Sequence, residues 1–330
     1  MADLDAPSLA EPVSELLHET PGNPLPEGAR AGLLRTHDGK KLRYARFDAT
    51  ERPLKGTVVL LPGRNESIEK YFETIADLAR RGLAVATLDW RGQGLSDRLL
   101  RNRERGHVDR FDSYVRDLEQ LFDEVVLPDC RGPFFILAHS TGALTALLAA
   151  PAMANRVRRM VLVAPLLALA GVPMSMKGVH RLASSLYWTG FGRLYLGGGR
   201  RSRAAGAFEG NVLTSDEQRY RRNQEIVRLH PELALGGPTA GWIRAMCLAV
   251  EAVERPEFAA RIQIPTLLVA AGADRVVSTQ AIERYARRLR SGRVLTIDGA
   301  RHEILQERDR YREQLLGAFD AFVPGTGSES

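Results

Sequence analysis

The run Phe134-Phe135-Ile136-Leu137-Ala138-His139-Ser140-Thr141-Gly142-Ala143-Leu144-Thr145-Ala146-Leu147-Leu148-Ala149-Ala150 decides the fold. Its first half is an apolar run too short for a helix, and its second half repeats Ala and Leu at helical spacing, so a buried strand turns abruptly into a helix at Ser140. A serine on such a turn is lifted clear of the sheet. The free N–H groups and positive dipole end of the new helix then face whatever charge develops beside its hydroxyl. The usual pattern for this turn is G-x-S-x-G; here it reads Ala138-His139-Ser140-Thr141-Gly142, with the smallest available departure from glycine in the first place. A serine that only caps an ordinary helix satisfies the same five residues.

Strands and helices alternate outward from this turn. Ala31 to Thr36 and Leu42 to Phe47 read as strands joined by the hairpin signal His37-Asp38-Gly39-Lys40. Gly56 to Leu61 is a buried strand, Ser67 to Arg81 has helical periodicity, and Leu83 to Leu88 returns to strand, which makes a parallel crossover. Phe111 to Val126 is helical, and Arg158 to Ala164 is the strand after the serine's helix. The alternation stops at Pro165 and resumes with a strand at Thr266 to Ala271, a helix at Gln280 to Arg290, a strand at Arg293 to Ile297 and a last helix at Asp309 to Phe322. The expectation is an α/β fold with a mostly parallel sheet flanked by helices and an inserted helical lid. Residues 1–28 form an N-terminal tail, 29–165 and 262–323 the core, 166–261 the lid, and 324–330 a disordered tail.

Composition narrows the class. The 330 residues suffice for a large core, and no apolar run reaches the length of a signal peptide or a membrane span. Cys130 and Cys247 lie far apart, without metal-ligand spacing, which fits a reducing compartment. These features suit a cytoplasmic protein, with peripheral contact on the inner face of the cytoplasmic membrane as a further option. The net charge is +6, and nearly all the basic residues are arginines spread along the whole chain. No recognised module or stacking pattern accompanies them, so nucleic acid is not an expected partner, whereas an anionic membrane surface is.

A serine hydroxyl needs a base, and histidine suits that task near neutral pH. Of seven histidines, His302 follows the last strand, where ligands gather beyond the strand carboxyl ends. His139, beside the serine, is expected to face away from it. Asp274, beyond the preceding strand, is placed to hold the imidazole in the right tautomer. Ser140, Asp274 and His302 occur in the chain order of an α/β-hydrolase triad. The backbone N–H groups of Thr141 and Arg64 are the expected oxyanion hole, and the Arg64 side chain is free for another task, such as pairing with Glu66. Four positions after His302 stands Gln306, so His302-Glu303 is not a zinc motif. Neither a metal nor a cofactor is called for.

Seven segments carry a closer resemblance: Leu61-Pro62-Gly63-Arg64-Asn65-Glu66-Ser67, Asp89-Trp90-Arg91-Gly92-Gln93-Gly94, Gly106-His107-Val108, Leu137-Ala138-His139-Ser140, Asn211-Val212-Leu213-Thr214, Gly236-Gly237-Pro238-Thr239 and His302-Glu303-Ile304-Leu305. With these, residues 56 to 310 resemble the monoacylglycerol lipase and bacterial lysophospholipase branch of the α/β-hydrolases. Pro62, where many relatives carry histidine, resembles the lysophospholipase group. The resemblance implies hydrolysis of a single-chain lipid ester, a lysophospholipid or monoacylglycerol, through an acyl-enzyme. The same acyl-enzyme serves an acyltransferase equally well, and the fold alone also suits a non-catalytic binding module. The apolar residues of the insertion, Met174, Met176, Leu186, Tyr187, Trp188 and Phe191 among them, are expected to bind the acyl chain and meet the membrane.

Overall fold

The structure is a computed structural model and describes residues 13–199 and 207–324. One eight-stranded sheet organises it: β1 (Arg30–Arg35), β2 (Lys41–Phe47), β3 (Gly56–Leu61), β4 (Leu83–Leu88), β5 (Phe134–His139), β6 (Val157–Val163), β7 (Thr266–Ala271) and β8 (Gly292–Ile297). Their order across the sheet is β1-β2-β4-β3-β5-β6-β7-β8. Only β1 with β2 and β2 with β4 pair antiparallel; every other pairing is parallel. The named helices are α1 (Phe72–Ala79), α2 (Asp112–Leu121), α3 (Thr141–Met153), α4 (Met176–Leu186), α5 (Glu217–Leu229), α6 (Ala240–Val253), α7 (Thr279–Ala286) and α8 (Asp309–Phe322).

The continuous apolar runs of the central strands follow from helices lying on both faces of the sheet. Successive residues of a strand point to opposite faces, so Val59, Leu61, Ile136 and Ala138 join an apolar cluster with α2, α3, α6 and α7. Val58, Leu60, Phe135 and Leu137 join the opposite cluster with α1 and α8. Each helix ends where the local chain requires it. The helix expected over Ser67 to Arg81 begins as a tight turn, Ile68–Tyr71, and closes before Gly82, whose φ of 78° stops it. The one expected over Phe111 to Val126 widens in its last turn, after Leu121, and Gln280 to Arg290 is helical only as far as Ala286.

Between β6 and β7 the described chain leaves the sheet and forms α4, α5 and α6. Helix α6 buries Trp242, Ile243, Met246 and Val250 in the same apolar cluster as α3, so this part of the insertion shares the core of the sheet domain. Helix α5 is tied down by charge. Arg219 and Arg222 reach Glu73 of α1 at 2.6 and 2.7 Å, and Arg219 also reaches Asp309 of α8 at 2.7 Å. The described part of the N-terminal stretch is held as well: Leu16 and Leu17 are buried, and the Asn23 side-chain amide donates to the Glu69 carbonyl at 2.9 Å. Residues 1–12 and 325–330, the latter most of the expected C-terminal tail, lie outside the described residues.

Candidate active site

Ser140 stands between β5 and α3 with φ 49° and ψ −109°, a left-handed conformation rarely adopted outside glycine. The surrounding hydrogen bonds hold it there. Its N–H donates to the Val163 carbonyl at 3.0 Å, and its own carbonyl accepts from Leu144 at 3.1 Å and Leu166 at 3.2 Å. Strain of this kind persists only where neighbours over-determine it, and it concentrates at functional sites. Gly142 shows why the turn needs a small residue after the serine: a Cβ there would lie 2.5 Å from the carbonyl oxygens of Leu61 and Pro62. The start of α3 is thereby packed against the end of β3. Ala138 sits in the first place of the motif, wholly buried in the sheet.

The loops after β7 and β8 bring their residues to the serine. His302 Nε2 lies 3.1 Å from Ser140 Oγ, and His302 Nδ1 lies 2.8 Å from Asp274 Oδ2. The other Asp274 oxygen accepts from the N–H groups of Val276 and Val277 at 2.7 and 3.0 Å. Burial opposes ionisation of Asp274, but the His302 hydrogen bond and charge and those two N–H groups outweigh it, and its carboxyl titrates below the usual range. The three residues expected from the sequence thus form one continuous chain of contacts. With Nδ1 donating to Asp274, Nε2 is free to accept from the serine.

The first N–H groups of α3 have no carbonyl within the helix to serve, and Thr141 is the first of them. The loop that carries Arg64 is braced from below by the turn after β4. Trp90 Nε1 donates to the Pro62 carbonyl at 2.8 Å, Gln93 Nε2 donates to the Gly63 carbonyl at 2.8 Å, and Gln93 Oε1 accepts from the Asn65 N–H at 3.2 Å. Gly94 permits that turn, with φ 54° and no room for a Cβ against the Asp89 carboxylate. The segment Asp89 to Gly94 therefore acts as a support for the loop, a role that its glycines and acid did not disclose in the sequence.

The expected contact between Arg64 and Glu66 does not form. Glu66 points the other way and accepts from the Gly63 N–H, while its carboxylate lies 2.8 Å from Lys70 Nζ and 3.1 Å from His139 Nδ1. Burial raises the Glu66 pKa, yet Lys70 and His139 prevail and hold its carboxyl well below the usual range. Lys70 reaches Glu303 as well, at 2.6 Å. His139 carries its Nδ1 to Glu66, and its Nε2 lies 3.2 Å from the carbonyl oxygen of His302. Glu66, Lys70, His139 and Glu303 form a buried charged cluster beside the histidine loop. Its one faint trace in the sequence is the direct adjacency of His139 to Ser140 and of Glu303 to His302.

Ser140, His302, Thr141 and Arg64 all line one cavity of about 750 Å³. Its apolar wall comes from Leu166, Leu169, Leu213, Ile226, Leu233, Leu235, Trp242, Ile243 and Val276. None of Met174, Met176, Leu186, Tyr187, Trp188 and Phe191 belongs to that wall. Trp188 is 74% exposed and Phe191 52%, because they lie on the outer turn that follows α4. The insertion contributes to the wall at its start, through Leu166 and Leu169, and again in its later part, around α5, the segment Leu233 to Pro238 and the start of α6.

Comparison with known proteins agrees with this geometry. The chain is 36% identical over 304 residues to lysophospholipase L2 of Escherichia coli (strain K12), a match covering 89% of this chain and 87% of that protein. It is 30% identical to a probable lysophospholipase L2 of Haemophilus influenzae, over 86% of this chain and 88% of that one. A soluble variant of monoglyceride lipase from Saccharomyces cerevisiae, solved in complex with a substrate analog, superposes with a TM-score of 0.71 at 19% identity and covers 90% of this chain and 96% of its own. A thermostable carboxyl esterase from Bacillus coagulans gives the same TM-score at 18% identity, over 90% and 99% of the two chains. Residues 52–309 match the family described as serine aminopeptidase, S33, and the chain belongs to that family, Hydrolase_4, within the α/β-hydrolases.

Proposed function

We propose that the chain is a serine hydrolase that cleaves the carboxylic ester of a single-chain lipid, a lysophospholipid or monoacylglycerol, with Ser140 as nucleophile, His302 as base and Asp274 as the group that orients the imidazole. The observation that carries this reading is the contact chain Asp274–His302–Ser140 opening onto a cavity walled by aliphatic side chains. As Ser140 Oγ attacks the ester carbon, its proton passes to His302 Nε2, and the Asp274 carboxylate stabilises the imidazolium. The negative charge on the former carbonyl oxygen is met by the N–H groups of Thr141 and Arg64. His302 then returns the proton to the departing alkoxide, leaving an acyl-enzyme, and a water activated by the same nitrogen releases the fatty acid. An apolar wall suits an acyl chain better than the N-terminal residues of a peptide, and the lysophospholipases of similar sequence support the same choice.

Residues 166–261 act in this reading as the lid over the acyl chain. The exposed apolar residues between Val172 and Leu194 form its membrane-facing surface, a peripheral contact, since no helix among the described residues is long and apolar enough to cross a bilayer. The test is a panel of lysophospholipid, monoacylglycerol and short p-nitrophenyl esters, with labelling by a fluorophosphonate. Wild-type protein labels and turns over the lipid esters; Ser140→Ala folds, does not label and loses activity by at least about a thousandfold. Turnover of Ser140→Ala within tenfold of wild type overturns the assignment.

A further inference from the structure

Three cationic side chains other than histidine line the cavity: Arg64, Lys70 and Arg228. Two of them are neutralised. Lys70 lies between the carboxylates of Glu66 and Glu303, at 2.8 and 2.6 Å, and Arg228 pairs with Glu225. Arg64 differs from both, since no carboxylate among the described residues lies within ion-pair distance of it. Its guanidinium stacks over the Trp242 ring, 5.6 Å from Cζ to the centroid, and donates through Nη2 to the Gly236 carbonyl. Its Nε is buried with no hydrogen-bond partner. The site is shaped around it: a Cβ on Gly106 would lie 2.9 Å from Nη2 and 3.3 Å from Nε. Burial lowers the Arg64 pKa only to about 10, so the group is charged near neutral pH.

Withdrawing a cation from water without a counter-charge is costly, and an anion that reaches the group recovers part of that cost. Whatever completes Arg64 must enter the cavity that also holds the serine. The surroundings fit a head group better than an acyl chain. Asn65 Oδ1 accepts from the Leu235 N–H at 3.0 Å, so Arg64, Asn65 and Glu104 cluster at one end of the cavity beside Leu235, and the Gly236 N–H just behind them donates to the Glu104 carbonyl at 2.7 Å. A guanidinium presents several N–H donors in a planar fork that matches a phosphate.

Resting on the lipid-ester reading above, we propose that the Arg64 guanidinium is the seat for the phosphodiester of a lysophospholipid whose ester lies at Ser140, and so selects phosphate-bearing lipids over monoacylglycerols. Arg64 then serves twice: its backbone N–H faces the oxyanion, and its side chain reads the head group.

The test removes hydrolysis from the measurement. Binding of two non-hydrolysable ether lipids of equal chain length, a 1-alkyl lysophosphatidylethanolamine and a 1-alkylglycerol, is measured by calorimetry below their aggregation concentrations on Ser140→Ala protein. The phospholipid analogue is expected to bind about 10- to 100-fold more tightly than the alkylglycerol, the size of a charged hydrogen-bonded contact. In Ser140→Ala/Arg64→Met that preference should vanish. In Ser140→Ala/Arg64→Lys, which keeps a charge without the fork, it should fall to an intermediate value, and this variant decides the matter if the Met protein does not fold. A preference that survives both substitutions overturns the role of Arg64, and so does equal binding of the two lipids to Ser140→Ala. If neither lipid binds while fluorophosphonate still labels wild-type protein, the lipid-ester reading itself has failed, and the proposal falls with it.

Discussion

His302 and Ile226 line the same cavity, one on a loop at the end of β8 and the other on a helix of the insertion, and they are held in place by different means. The strand-end loops are fixed by directional hydrogen bonds in which a backbone group always takes part: Ser140 by its bonds to Val163 and Leu166, Asp274 by the N–H groups of Val276 and Val277, and the Arg64 loop by the side chains of Trp90 and Gln93 on its own carbonyls. The helices of the insertion are held mainly by side chains, with α6 packed on α3 and α5 leashed by Arg219 and Arg222 to Glu73, while its connecting segments add backbone bonds such as that from the Gly236 N–H to the Glu104 carbonyl. The difference suits the two tasks. Chemistry needs atoms placed to within a fraction of an ångström, which a parallel sheet supplies, whereas an acyl-chain wall needs only apolar surface of the right extent.

If that contrast holds, damage at the strand ends should affect every substrate alike. Asp274→Asn should lower kcat by about four orders of magnitude on long and short esters equally, because the amide favours the wrong tautomer of His302. Arg64→Pro removes an oxyanion donor and should cost about a hundred- to a thousandfold on p-nitrophenyl acetate, which carries no phosphate. Arg64→Ala keeps the N–H and should lose less than tenfold on that ester. Equal losses for the two Arg64 variants, both folded, would mean that the guanidinium itself takes part in the chemistry.

The tether of the insertion makes a pH-dependent prediction. Burial raises the Glu73 pKa, but the hydrogen bond from Arg219 and the charges of Arg312 and Arg222 outweigh it and bring the carboxyl down to about 2. A carboxyl depressed in the folded state adds stability that is complete above its unfolded value, near 4.5, and is lost as pH falls through about 2. Glu73→Gln should therefore destabilise the protein by about 1 kcal/mol at pH 7, less than the full shift would give because water screens this partly exposed cluster, with a difference from wild type that shrinks as the pH is lowered below 4.5. Denaturant titrations at pH 7 and pH 3.5 check this. An unchanged difference would mean that Glu73 contributes packing and not charge.

The same division explains what could be read from the sequence. The strand-end residues were legible because sheet order translates into chain order: each catalytic candidate follows its own strand, and short apolar runs mark the strands clearly. Chain order also placed Arg64 and Thr141 at the cavity. The Arg64 side chain was misread because Glu66, two residues on, looked like the nearest acid, while the loop turns that acid toward Lys70 and His139 instead. The wall of the cavity was not legible. The segment around Trp188 is more conspicuously aromatic than the stretch that provides Leu213, Ile226 and Leu235, and a window of sequence does not say which side of an irregular insertion faces inward.

The smallest expected effect separates the two sides of the insertion. Trp188 and Phe191 are exposed and lie outside the cavity, whereas Ile226 is buried in its wall. Each CH₂ of an acyl chain buried against that wall can contribute about 0.8 kcal/mol, so kcat/KM should rise by up to about fourfold per methylene until the cavity is full. Ile226→Ser should flatten that rise and cost about tenfold more on a long-chain ester than on an acetate. Trp188→Ser/Phe191→Ser should leave the rise intact for monomeric substrate and weaken binding to anionic vesicles severalfold. Arg244 stands over both the Tyr187 and Trp188 rings, at 4.7 and 5.3 Å from their centroids, so an interfacial contact here would combine aromatic and cationic groups. Vesicle binding should then weaken as salt rises, because exposed charges are screened over about 10 Å at 0.1 M. If the double variant flattens the chain-length series and spares vesicle binding, the outer turn closes over the substrate in solution, and the division between an inner wall and an outer surface is wrong.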